Sequence, residues 1–460
     1  MNRHMHFIGI GGIGMSGIAQ LYLEKGLTIT GSDLRLSPIV ERLISLGAKV
    51  YIGHNPSNVE GADTIVYSSA IKPDNPELIE ATRLNIPVLR RAQALAELMQ
   101  EKLSITVTGA HGKTTTTSMI SNLLEESGLC PTVAVGGIIN NFSRNAWLGE
   151  GKFFVAEADE SDGSFLYYNP TYSIVTNIDY EHLDYYVEFK RLLAAFKDFM
   201  NKTHDSGAIV CCLDDPHIRA IVQTLNKRCI GFGISNTNDI YPKDVRLEEF
   251  SSDFECIYKT KTLGRFSLSI PGLFNISNAL AVVALGMELG IGVDKIRQSL
   301  AAYKGAERRL QIKLDSYDIR IIDDYAHHPT EIKATLEAVR PMKYNRLLVV
   351  FQPHRYTRLK LLFDEFTKVL GNTQHLILTD IYAASEPPIT GITAQALYTR
   401  IKDAGHRDVN FIPKTELCDF LMTQTKSGDL ILFLGAGDIN RIADELAQQI
   451  KATVERQCPV

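Results

Sequence analysis

The 460-residue sequence has no excess of basic residues, no paired cysteine motif and no long apolar run. Its formal charge of −5 speaks against a broad surface for nucleic acid or anionic membranes. Its seven cysteines include no C-x-x-C pair, which argues against a disulfide framework and a zinc site. No apolar stretch reaches the ~18 residues of a membrane span, and no signal-peptide pattern begins the chain. We therefore expect a cytoplasmic protein without stable membrane insertion.

Strand-length apolar runs alternate with helical patterns along most of the chain. This alternation is typical of α/β layers built on mostly parallel sheets. At roughly 150 residues per domain, the length indicates about three domains. Polar segments near residues 100–104 and 302–311 are the expected linkers, so the predicted domains are residues 1–101, 102–304 and 305–460. Helices are predicted from Pro38 to Leu46, from Pro76 to Asn85 and from about Asn275 to Leu289.

A first glycine-rich turn lies close to the N-terminus. Gly9, Gly11 and Gly14 form a G-x-G-x-x-G pattern between a strand and a helix, and Asp33 ends the second strand. Such glycines let the backbone approach a pyrophosphate at the positive end of a helix. A tight turn without a ligand also fits the pattern. A nicotinamide cofactor is one interpretation, but the same turn serves any nucleoside diphosphate.

A second glycine-rich turn follows the strand "SITVT". Gly109, Gly112, Lys113 and Thr114 open a helix there, so backbone N–H groups, the lysine and the threonine hydroxyl can meet a polyphosphate and its Mg²⁺. The spacing departs from the usual phosphate-loop motif because Val107 stands where the first glycine would be. A threonine-rich helix start without a ligand is the alternative.

Acidic residues follow two other strands and are candidate metal ligands, because Mg²⁺ prefers hard oxygen donors. The first group, after the strand at 153–156, is Glu157, Asp159, Glu160 and Asp162. The second group, after the strand in "YSIVTNI", is Asp179, Glu181, His182 and Asp184. A solvated turn and a structural histidine are the alternatives. Their position after parallel strands favours a shared edge with the phosphate loop.

Seven motifs in order resemble the Mur ligases of bacterial peptidoglycan synthesis, most closely the alanine-adding type. They are "GAHGKTTTT", "AEADESDGSFL", "TNIDYEHLD", "GLFNISNALA", "ERR", "DDYAHHPTE" and "FQPHRYTR". The resemblance runs from "GIGGIGMSG" to the terminal "GAGDI", and Ala110 departs from the threonine that is usual in the family. It implies a three-domain α/β fold with Rossmann-like domains at both ends and a central P-loop ATPase-like domain whose sheet is mostly parallel.

The resemblance also implies a function for each glycine turn. The first would bind the UDP moiety of UDP-N-acetylmuramate, and the second would bind ATP with Mg²⁺ or Mn²⁺. The implied enzyme is an ADP-forming ligase that activates the lactyl carboxylate as an acyl phosphate and joins it to L-alanine. We expect a monomer or a homodimer.

The family motifs imply roles for individual residues. The expected catalytic residues are Lys113, Glu157, His182 and Arg308, and the expected metal ligands are Thr114, Glu157 and His182. The expected ATP site contains Gly109, Ala110, His111, Gly112, Lys113, Thr114, Thr115, Asn275, Asn278, Arg308 and Asp324. The expected UDP-sugar site contains Gly9, Gly11, Gly12, Gly14, Ser32, Asp33, Ser68 and Ser69. The expected amino-acid site contains Tyr325, His327, His354, Arg355 and Arg358.

Some of these assignments have alternatives in the bare sequence. Asn275 and Asn278 are also compatible with capping a helix. Arg309 and Asp323 leave the assignments of Arg308 and Asp324 open by one position. For the whole chain, the alternatives are a recycling ligase that adds a tripeptide to the same nucleotide sugar, an NAD-dependent oxidoreductase, and a P-loop module that binds without catalysis.

Overall fold

The computed structural model describes residues 3–68 and 70–457, which form three β-sheets with helices packed on their faces. The chain divides into two compact units. The larger unit contains the residues up to Arg246 together with 253–269 and 274–306, and the smaller contains 247–252, 270–273 and the chain from Glu307 onward. The first two sheets lie in the larger unit, apart from a few residues of the second, and the third sheet lies in the smaller unit.

The first sheet has five parallel strands in the order β3-β2-β1-β4-β5. Its strands are β1 (His4–Ile8), β2 (Thr28–Asp33), β3 (Lys49–Ile52), β4 (Thr64–Tyr67) and β5 (Val88–Arg90). Its helices are α1 (Ile13–Glu24), α2 (Pro38–Ser45), α3 (Pro76–Arg83) and α4 (Arg91–Met99), with a short 3₁₀ turn at Pro56–Val59. The order reverses between β1 and β4, and ligands bind at such a switch point in open α/β sheets. The first glycine turn follows β1.

The second sheet has ten strands in the order β15-β14-β13-β12-β11-β10-β6-β9-β7-β8. They are β6 (Leu103–Thr108), β7 (Thr132–Ile139), β8 (Arg144–Trp147), β9 (Phe153–Glu157), β10 (Tyr172–Val175), β11 (Ala208–Cys212), β12 (Cys229–Phe232), β13 (Ile240–Leu247), β14 (Ser252–Tyr258) and β15 (Lys261–Leu268). Helices are α5 (Lys113–Glu126), α6 (Leu183–Tyr186), α7 (Phe189–Asn201), α8 (Pro216–Val222), α9 (Leu273–Glu288) and α10 (Val293–Ala302), and Ser164–Tyr167 forms a 3₁₀ turn. The central strand β6 pairs in parallel with β9 and β10, so all three end at one edge.

The third sheet has six strands in the order β16-β17-β21-β18-β19-β20, of which only the β16–β17 pair is antiparallel. They are β16 (Gln311–Ser316), β17 (Ile319–Asp324), β18 (Arg346–Phe351), β19 (His375–Leu378), β20 (Val409–Phe411) and β21 (Asp429–Leu434). Helices are α11 (Pro329–Val339), α12 (Tyr356–Leu361), α13 (Phe363–Leu370), α14 (Ala394–Asp403), α15 (Lys414–Gln424) and α16 (Ile439–Gln457). All six residues of β21 are buried, as expected for a parallel strand covered on both faces.

Local sequence explains where several helices begin. Ser37 Oγ accepts the Val40 N–H at 3.3 Å, and Asn75 Oδ1 accepts the Glu77 N–H at 2.9 Å. Both caps precede a proline, which fits the first helical position because its missing N–H would have no partner there. The predicted helices at Pro38 and Pro76 are therefore confirmed, although they end one and two residues earlier than expected.

The predicted α/β class with mostly parallel sheets is confirmed. The helix expected from Asn275 begins two residues earlier, at Leu273. Within residues 3–68 and 70–457, no helix is long and apolar enough to cross a membrane.

Candidate active site

The second glycine turn connects β6 to α5 at the carboxyl edge of the central sheet. Gly109 and Gly112 have φ angles of +131° and +84°, which side chains rarely adopt. A Cβ at Gly109 would also lie 2.2 Å from Thr176 Oγ1, so position 109 has no room for a side chain. The loop therefore depends on glycine both for its backbone conformation and for its packing against the end of β10.

Residues that follow β10 hold this loop in place. The backbone N–H groups of Ala110 and His111 donate to the backbone oxygen of Asn177 at 3.0 Å and to its side-chain Oδ1 at 2.9 Å. Thr176 Oγ1 donates to the His111 carbonyl at 2.6 Å, and His111 Nε2 lies 2.8 Å from Asp179 Oδ2. The motif that contains Asp179 thus fixes the phosphate loop as well as supplying acids to the edge.

Lys113 lies at the start of α5 and contacts a buried carboxylate. Its Nζ donates to Glu160 Oε1 at 2.7 Å and to the Ala110 carbonyl at 3.2 Å. Burial acts to lower the pKa of Lys113, but the nearby charges of Glu160 and Asp159 outweigh it and hold the pKa above its ordinary value. The ammonium group is therefore charged and held inside the loop where a polyphosphate would bind.

His182 approaches the same carboxylate from the loop that follows β10. Its Nε2 lies 3.3 Å from Glu160 Oε1 and 3.6 Å from Glu181 Oε2. Burial acts to lower the pKa of His182, but the hydrogen bond to Glu160 and the charge of Glu181 raise it above the ordinary value. Its backbone has a positive φ of 60°, a conformation seldom found outside glycine and often associated with functional sites. Glu160 thus joins Lys113 and His182.

Two predicted metal ligands lie against the same stretch of β7. A Cβ at Gly136 would lie 2.4 Å from Glu157 Oε2, and one at Gly137 would lie 3.0 Å from Thr114 Cγ2. The two glycines let both side chains come close to this strand. A carboxylate and a hydroxyl are hard oxygen donors of the kind that Mg²⁺ prefers, so these residues fit the predicted ion.

Asn275 and Asn278 lie in the first turns of α9 and are both buried. Because α9 begins at Leu273, neither residue caps the helix, and that alternative is wrong. A Cβ at Gly112 would lie 2.5 Å from Asn278 Oδ1, and Asn278 Nδ2 donates to Asn275 Oδ1 at 3.4 Å. The pair therefore lies directly beside the phosphate loop, and its place at a bound nucleotide stays a prediction.

The first glycine turn is braced by the end of β2. The N–H groups of Gly9 and Ile10 donate to the Ser32 carbonyl at 2.8 and 3.1 Å. The N–H of Gly11 donates to Asp33 Oδ2 at 2.9 Å. Asp33 therefore holds the loop in the structure, whereas the sequence pattern gave it a role around the nucleotide.

The other two glycines of this turn lie at the start of α1. Gly12 is the N-cap residue, and its carbonyl accepts the Ser16 N–H at 2.8 Å. Gly14 follows in the first helical turn, where a Cβ would lie 2.6 Å from Arg91 Nη1. Gly14 thus makes room for a guanidinium at the start of the helix.

Ser32 belongs to a buried polar network beneath the first turn. Its hydroxyl donates to Glu77 Oε2 at 2.6 Å, and that oxygen lies 2.9 Å from His54 Nδ1. Asn58 donates to the other carboxylate oxygen at 2.6 Å, and His6 Nε2 lies 3.6 Å from it. The side chain of Ser32 is fully buried, so its influence on a bound nucleotide would pass through its carbonyl and the loop.

An apolar cavity of about 440 Å³ lies near the first turn. It is lined by Tyr67, Ile71, Pro73, Leu78, Ile79, Thr82 and Val88. A Cβ at Gly9 would lie 3.4 Å from Ile71 and 3.6 Å from Ser68, so the cavity and the turn are neighbours. Ser69, which was predicted at this site, lies outside the described residues.

In the smaller unit, Arg308 holds a glycine loop that follows β21. Its Nη atoms donate to the carbonyls of Gly435 at 2.6 Å and Gly437 at 3.0 Å, and its Nε lies 3.3 Å from Asp323 Oδ2. Burial raises the pKa of Asp323 to about 6, although the charge of Arg308 opposes this shift. The guanidinium of Arg308, which is predicted at the ATP site, is therefore bound in the structure by groups of its own unit.

Asp324 is also engaged within the smaller unit. It accepts the N–H groups of Leu310 at 2.7 Å and Ala326 at 2.9 Å, and the hydroxyl of Thr335 at 3.2 Å. Burial raises the pKa of Asp324 despite the nearby charge of Arg309. The structure thus gives both members of the Asp323 and Asp324 pair a buried supporting position.

The predicted amino-acid residues form an aromatic and basic cluster. The rings of Tyr325 and His327 have centroids 5.3 Å apart, and those of His327 and His354 are 5.7 Å apart. His354 stacks on Tyr382, and its Nδ1 lies 2.9 Å from Arg358 Nη1. Burial, together with unfavourable electrostatic interactions with His327 and Arg358, lowers the pKa of His354 to about 2, so the ring is neutral.

Arg355 lies at the rim of this cluster with a positive φ of 69°. Its Nε donates to Glu386 Oε1 at 2.6 Å, and the N–H and hydroxyl of Thr357 also donate to Glu386. The loop that carries Tyr382 and Glu386 is therefore part of the cluster. The sequence motifs did not indicate this loop, whose signal is a polar, proline-containing stretch after β19.

The structure thus brings the predicted residues together in four groups. Lys113 and His182 meet at Glu160, Thr114 and Glu157 meet at β7, the two asparagines lie at Gly112, and the aromatic and basic cluster gathers in the smaller unit. Sequence reasoning gave no role of their own to Glu160, Asn177, Arg91, Tyr382 and Glu386. The first two lie inside motifs that it had singled out.

Three family models match the chain in order along its length. They are described as "Mur ligase family, catalytic domain" for residues 4–103, "Mur ligase middle domain" for 107–286 and "Mur ligase, glutamate ligase domain" for 308–437. These three regions contain the first glycine turn, the phosphate loop and the aromatic and basic cluster, respectively.

Individual proteins are similar over nearly the full chain. A UDP-N-acetylmuramate–L-alanine ligase of Syntrophus aciditrophicus is 47% identical over 450 residues, which cover 98% of this chain and 94% of that protein. The solved UDP-N-acetylmuramate-alanine ligase MurC of Thermotoga maritima has a TM-score of 0.84 at 27% identity and covers 98% of this chain and 99% of its own. A murein peptide ligase from Psychrobacter arcticus shares the fold, with a TM-score of 0.72 at 23% identity and coverage of 97% and 98%. The chain therefore belongs to the Mur ligase family of enzymes, and the predicted three-domain α/β fold and ligase class are confirmed.

Proposed function

We propose that this chain is an ATP-dependent ligase that joins L-alanine to the lactyl carboxylate of UDP-N-acetylmuramate, releasing ADP and phosphate, in peptidoglycan precursor synthesis. The observation that carries the proposal is the full-length similarity to ligases of that name, at 47% identity for one of them. The two different glycine turns in one compact unit support it, because the reaction needs both a nucleotide sugar and ATP. The reaction would take place in the cytoplasm, in a monomer or a homodimer.

The proposed reaction has two covalent steps. A carboxylate oxygen attacks the γ-phosphorus of ATP, which forms an acyl phosphate and expels ADP. The amine of L-alanine then attacks the acyl carbon, and the tetrahedral intermediate collapses to the amide with loss of phosphate and of the amine proton. The main barrier in the first step is the repulsion between two anions, so fixed positive charge at the reacting oxygens is the central requirement.

Lys113 would supply that charge. In the structure its ammonium group already lies inside the phosphate loop, where Glu160 holds it at 2.7 Å. A bound polyphosphate would replace the Glu160 carboxylate and the loop carbonyls as the hydrogen-bond acceptor of Lys113 Nζ. Because the loop is braced by Thr176 and Asn177, the lysine would need little rearrangement to meet the phosphate.

Thr114, Glu157 and His182 are the proposed metal ligands. When bound, Mg²⁺ or Mn²⁺ supplies further charge neutralisation at the phosphate oxygens. Thr114 and Glu157 offer oxygens close to β7, which suits Mg²⁺. His182 would sit at a second metal near the substrate carboxylate.

The remaining assignments concern binding. Asn275 and Asn278 would hold the adenine beside Gly112, and the first turn would hold the diphosphate of the sugar nucleotide. The apolar cavity beside Gly9 has a volume in the range of small-molecule sites and would suit the uracil ring. Arg308 and Asp324 stay predictions for the ATP site.

The aromatic and basic cluster would bind L-alanine. Arg355 and Arg358 offer the planar fork that pairs with a carboxylate. His354 is neutral and buried at their side, so it adds no charge that would repel the amine. Tyr325 and His327 would pack against the methyl group.

ADP release tests the proposed function. The purified chain is incubated with ATP, Mg²⁺ and UDP-N-acetylmuramate, and then with L-alanine, glycine, L-serine or the peptidoglycan tripeptide. We expect ADP release only when both the nucleotide sugar and an amino acid are present, with L-alanine the most efficient. Preference for the tripeptide would instead indicate the recycling ligase, and reduction of NAD without ATP consumption would indicate an oxidoreductase.

A further inference from the structure

Arg91 lies between the first glycine turn and the acidic segment that follows β9. It is the first residue of α4, and its side chain is partly buried. One guanidinium nitrogen, Nη2, lies 3.4 Å from Asp159 Oδ2. The other, Nη1, lies 2.6 Å from the point where a Cβ of Gly14 would be. A single guanidinium therefore lies against both the first glycine turn and the acidic segment that follows β9.

The contact with Asp159 is weak in geometry. At 3.4 Å it is longer than the roughly 2.7–2.9 Å typical of a charge-assisted hydrogen bond. Asp159 also lies within the field of Lys113, whose charge acts on this carboxylate together with that of Arg91. Asp159 therefore has a second cation nearby and does not depend on Arg91 alone.

The position of Gly14 points to a ligand for the guanidinium. Gly14 is the third glycine of the turn and lies in the first turn of α1, where a nucleoside diphosphate would meet the helix. Any side chain at position 14 would push Arg91 away from this place. The fork of Arg91 has five N–H donors, which suit the adjacent oxygens of a diphosphate better than one distant carboxylate oxygen.

We propose that Arg91 binds the diphosphate of the sugar nucleotide at the first glycine turn and exchanges Asp159 for it when that ligand arrives. The proposal rests on the proposed function and deepens it by naming a binding residue outside the glycine motif. After the exchange, Asp159 no longer contacts Arg91 and interacts with Lys113 and its neighbours in the phosphate-loop region. Binding of the sugar nucleotide at the first turn thereby changes the charged partners of Asp159 near the second turn.

Two variants separate this role from a structural ion pair. Arg91→Met removes the charge but keeps an unbranched chain, and Asp159→Asn removes the competing carboxylate charge while keeping Oδ1 as the acceptor for the Ser161 N–H. If the Arg91–Asp159 ion pair only held the start of α4 and the acidic segment together, both substitutions would weaken ligand binding. If Asp159 competes with the diphosphate, the two changes act in opposite directions.

Calorimetric titration without ATP or Mg²⁺ measures the effect, with UDP-N-acetylmuramate and UDP as the probes. We expect Arg91→Met to raise Kd about 10–100-fold for both probes, the scale of hydrogen bonds to a charged group. Arg91→Lys should raise Kd less, because it keeps the charge but loses the fork. Asp159→Asn should lower Kd a few-fold. The matched control is Arg400→Met, whose guanidinium also lies 3.4 Å from a carboxylate but far out on the surface, and it should bind as the wild type does.

Each of these measured affinities either supports or overturns the role of Arg91 in diphosphate binding. Wild-type affinity in Arg91→Met, or weaker binding in Asp159→Asn, would overturn the role of Arg91 while leaving the proposed function intact. If Arg91→Met does not fold, wild-type affinity in a folded Arg91→Lys would overturn it equally. A wild-type chain that binds neither probe would contradict both the proposed function and this role.

Discussion

The two glycine turns occupy equivalent places, each between a central strand and a helix, but their surroundings differ. At the first turn, Asp33 and the Ser32 carbonyl accept the loop N–H groups, so the loop is fixed by acceptors. At the second turn, Lys113 lies inside the loop and a buried acid, Glu160, holds its charge in place. The first turn is thus braced by acceptors from β2, whereas the second also holds a positive charge in place inside its loop, as the proposed reaction requires.

The largest expected effect separates the two turns through Lys113. Lys113→Ala should lower kcat by about 10²–10³, the scale for losing one preorganised electrostatic group in the transition state. Binding of UDP-N-acetylmuramate at the first turn should stay within about twofold of the wild type, because Lys113 belongs to the other loop. Steady-state ADP release and calorimetric titration measure the two quantities. Near-normal turnover in a folded variant would remove the phosphate loop from the mechanism.

The second prediction compares the glycines themselves. Gly109→Ala places a Cβ 2.2 Å from Thr176 Oγ1 at a φ of +131°, whereas Gly9→Ala places one 3.4 Å from Ile71 at a φ of +77°. Both variants strain the backbone, but only Gly109→Ala adds a steric clash with the end of β10. We expect a loss of at least about 3 kcal/mol in the free energy of unfolding for Gly109→Ala and about 1 kcal/mol for Gly9→Ala. Urea unfolding measures both, and equal losses would contradict the difference in packing.

The third prediction concerns Glu157, one of the proposed metal ligands beside the second turn. Glu157→Gln keeps the shape of the side chain against Gly136 but removes its charge. The Mg²⁺ concentration for half-maximal activity should rise at least about tenfold, the lower end of the range for a perturbed metal site. The Kd for UDP-N-acetylmuramate without metal is the control and should not change. An unchanged Mg²⁺ titration curve would count against Glu157 as a ligand.

The smallest expected effect belongs to the support of the first turn. Burial acts to raise the pKa of Glu77, but hydrogen bonds from His6, Ser32, Asn58 and His54 outweigh it and lower the pKa from 4.5 to about 2. The unfolded chain therefore takes up this proton first, so the stabilisation is present above pH 4.5 and is lost as the pH falls towards 2. Between pH 6 and pH 3.5 the loss should be about 1 kcal/mol. Urea unfolding should show a smaller loss over this range for Glu77→Gln, and an identical loss would exclude Glu77 as its source.

The fold and the phosphate loop were predictable because their signals are local. Strand-length apolar runs, prolines behind capping residues and glycines at fixed offsets each specify structure within a few residues. Asn275 and Asn278 were recognised from a motif, and the structure adds that Asn278 lies against Gly112, more than a hundred residues away in sequence. Motif spacing thus identified candidate site residues more readily than it identified their contacts in the fold.

The parts that sequence reasoning missed depend on long-range contacts. Glu160 was seen as one acid among several, and only the fold shows that its carboxylate faces both Lys113 and His182. Arg308 was assigned to ATP, but its guanidinium reaches the carbonyls after β21, at a separation of 127 residues for Gly435. No local pattern in the chain encodes either partner. Such contacts follow from strand order, which the sequence did not specify.

The transfer of an oxygen atom tests most directly whether chemistry at the second turn acts on a substrate held at the first. UDP-N-acetylmuramate is labelled with heavy oxygen in its lactyl carboxylate and turned over with ATP and L-alanine, and the released phosphate is analysed by mass spectrometry. An acyl phosphate carries a carboxylate oxygen into the leaving phosphate, so each phosphate formed should contain one heavy oxygen. Phosphate without the label, released at the rate of amide formation, would contradict it.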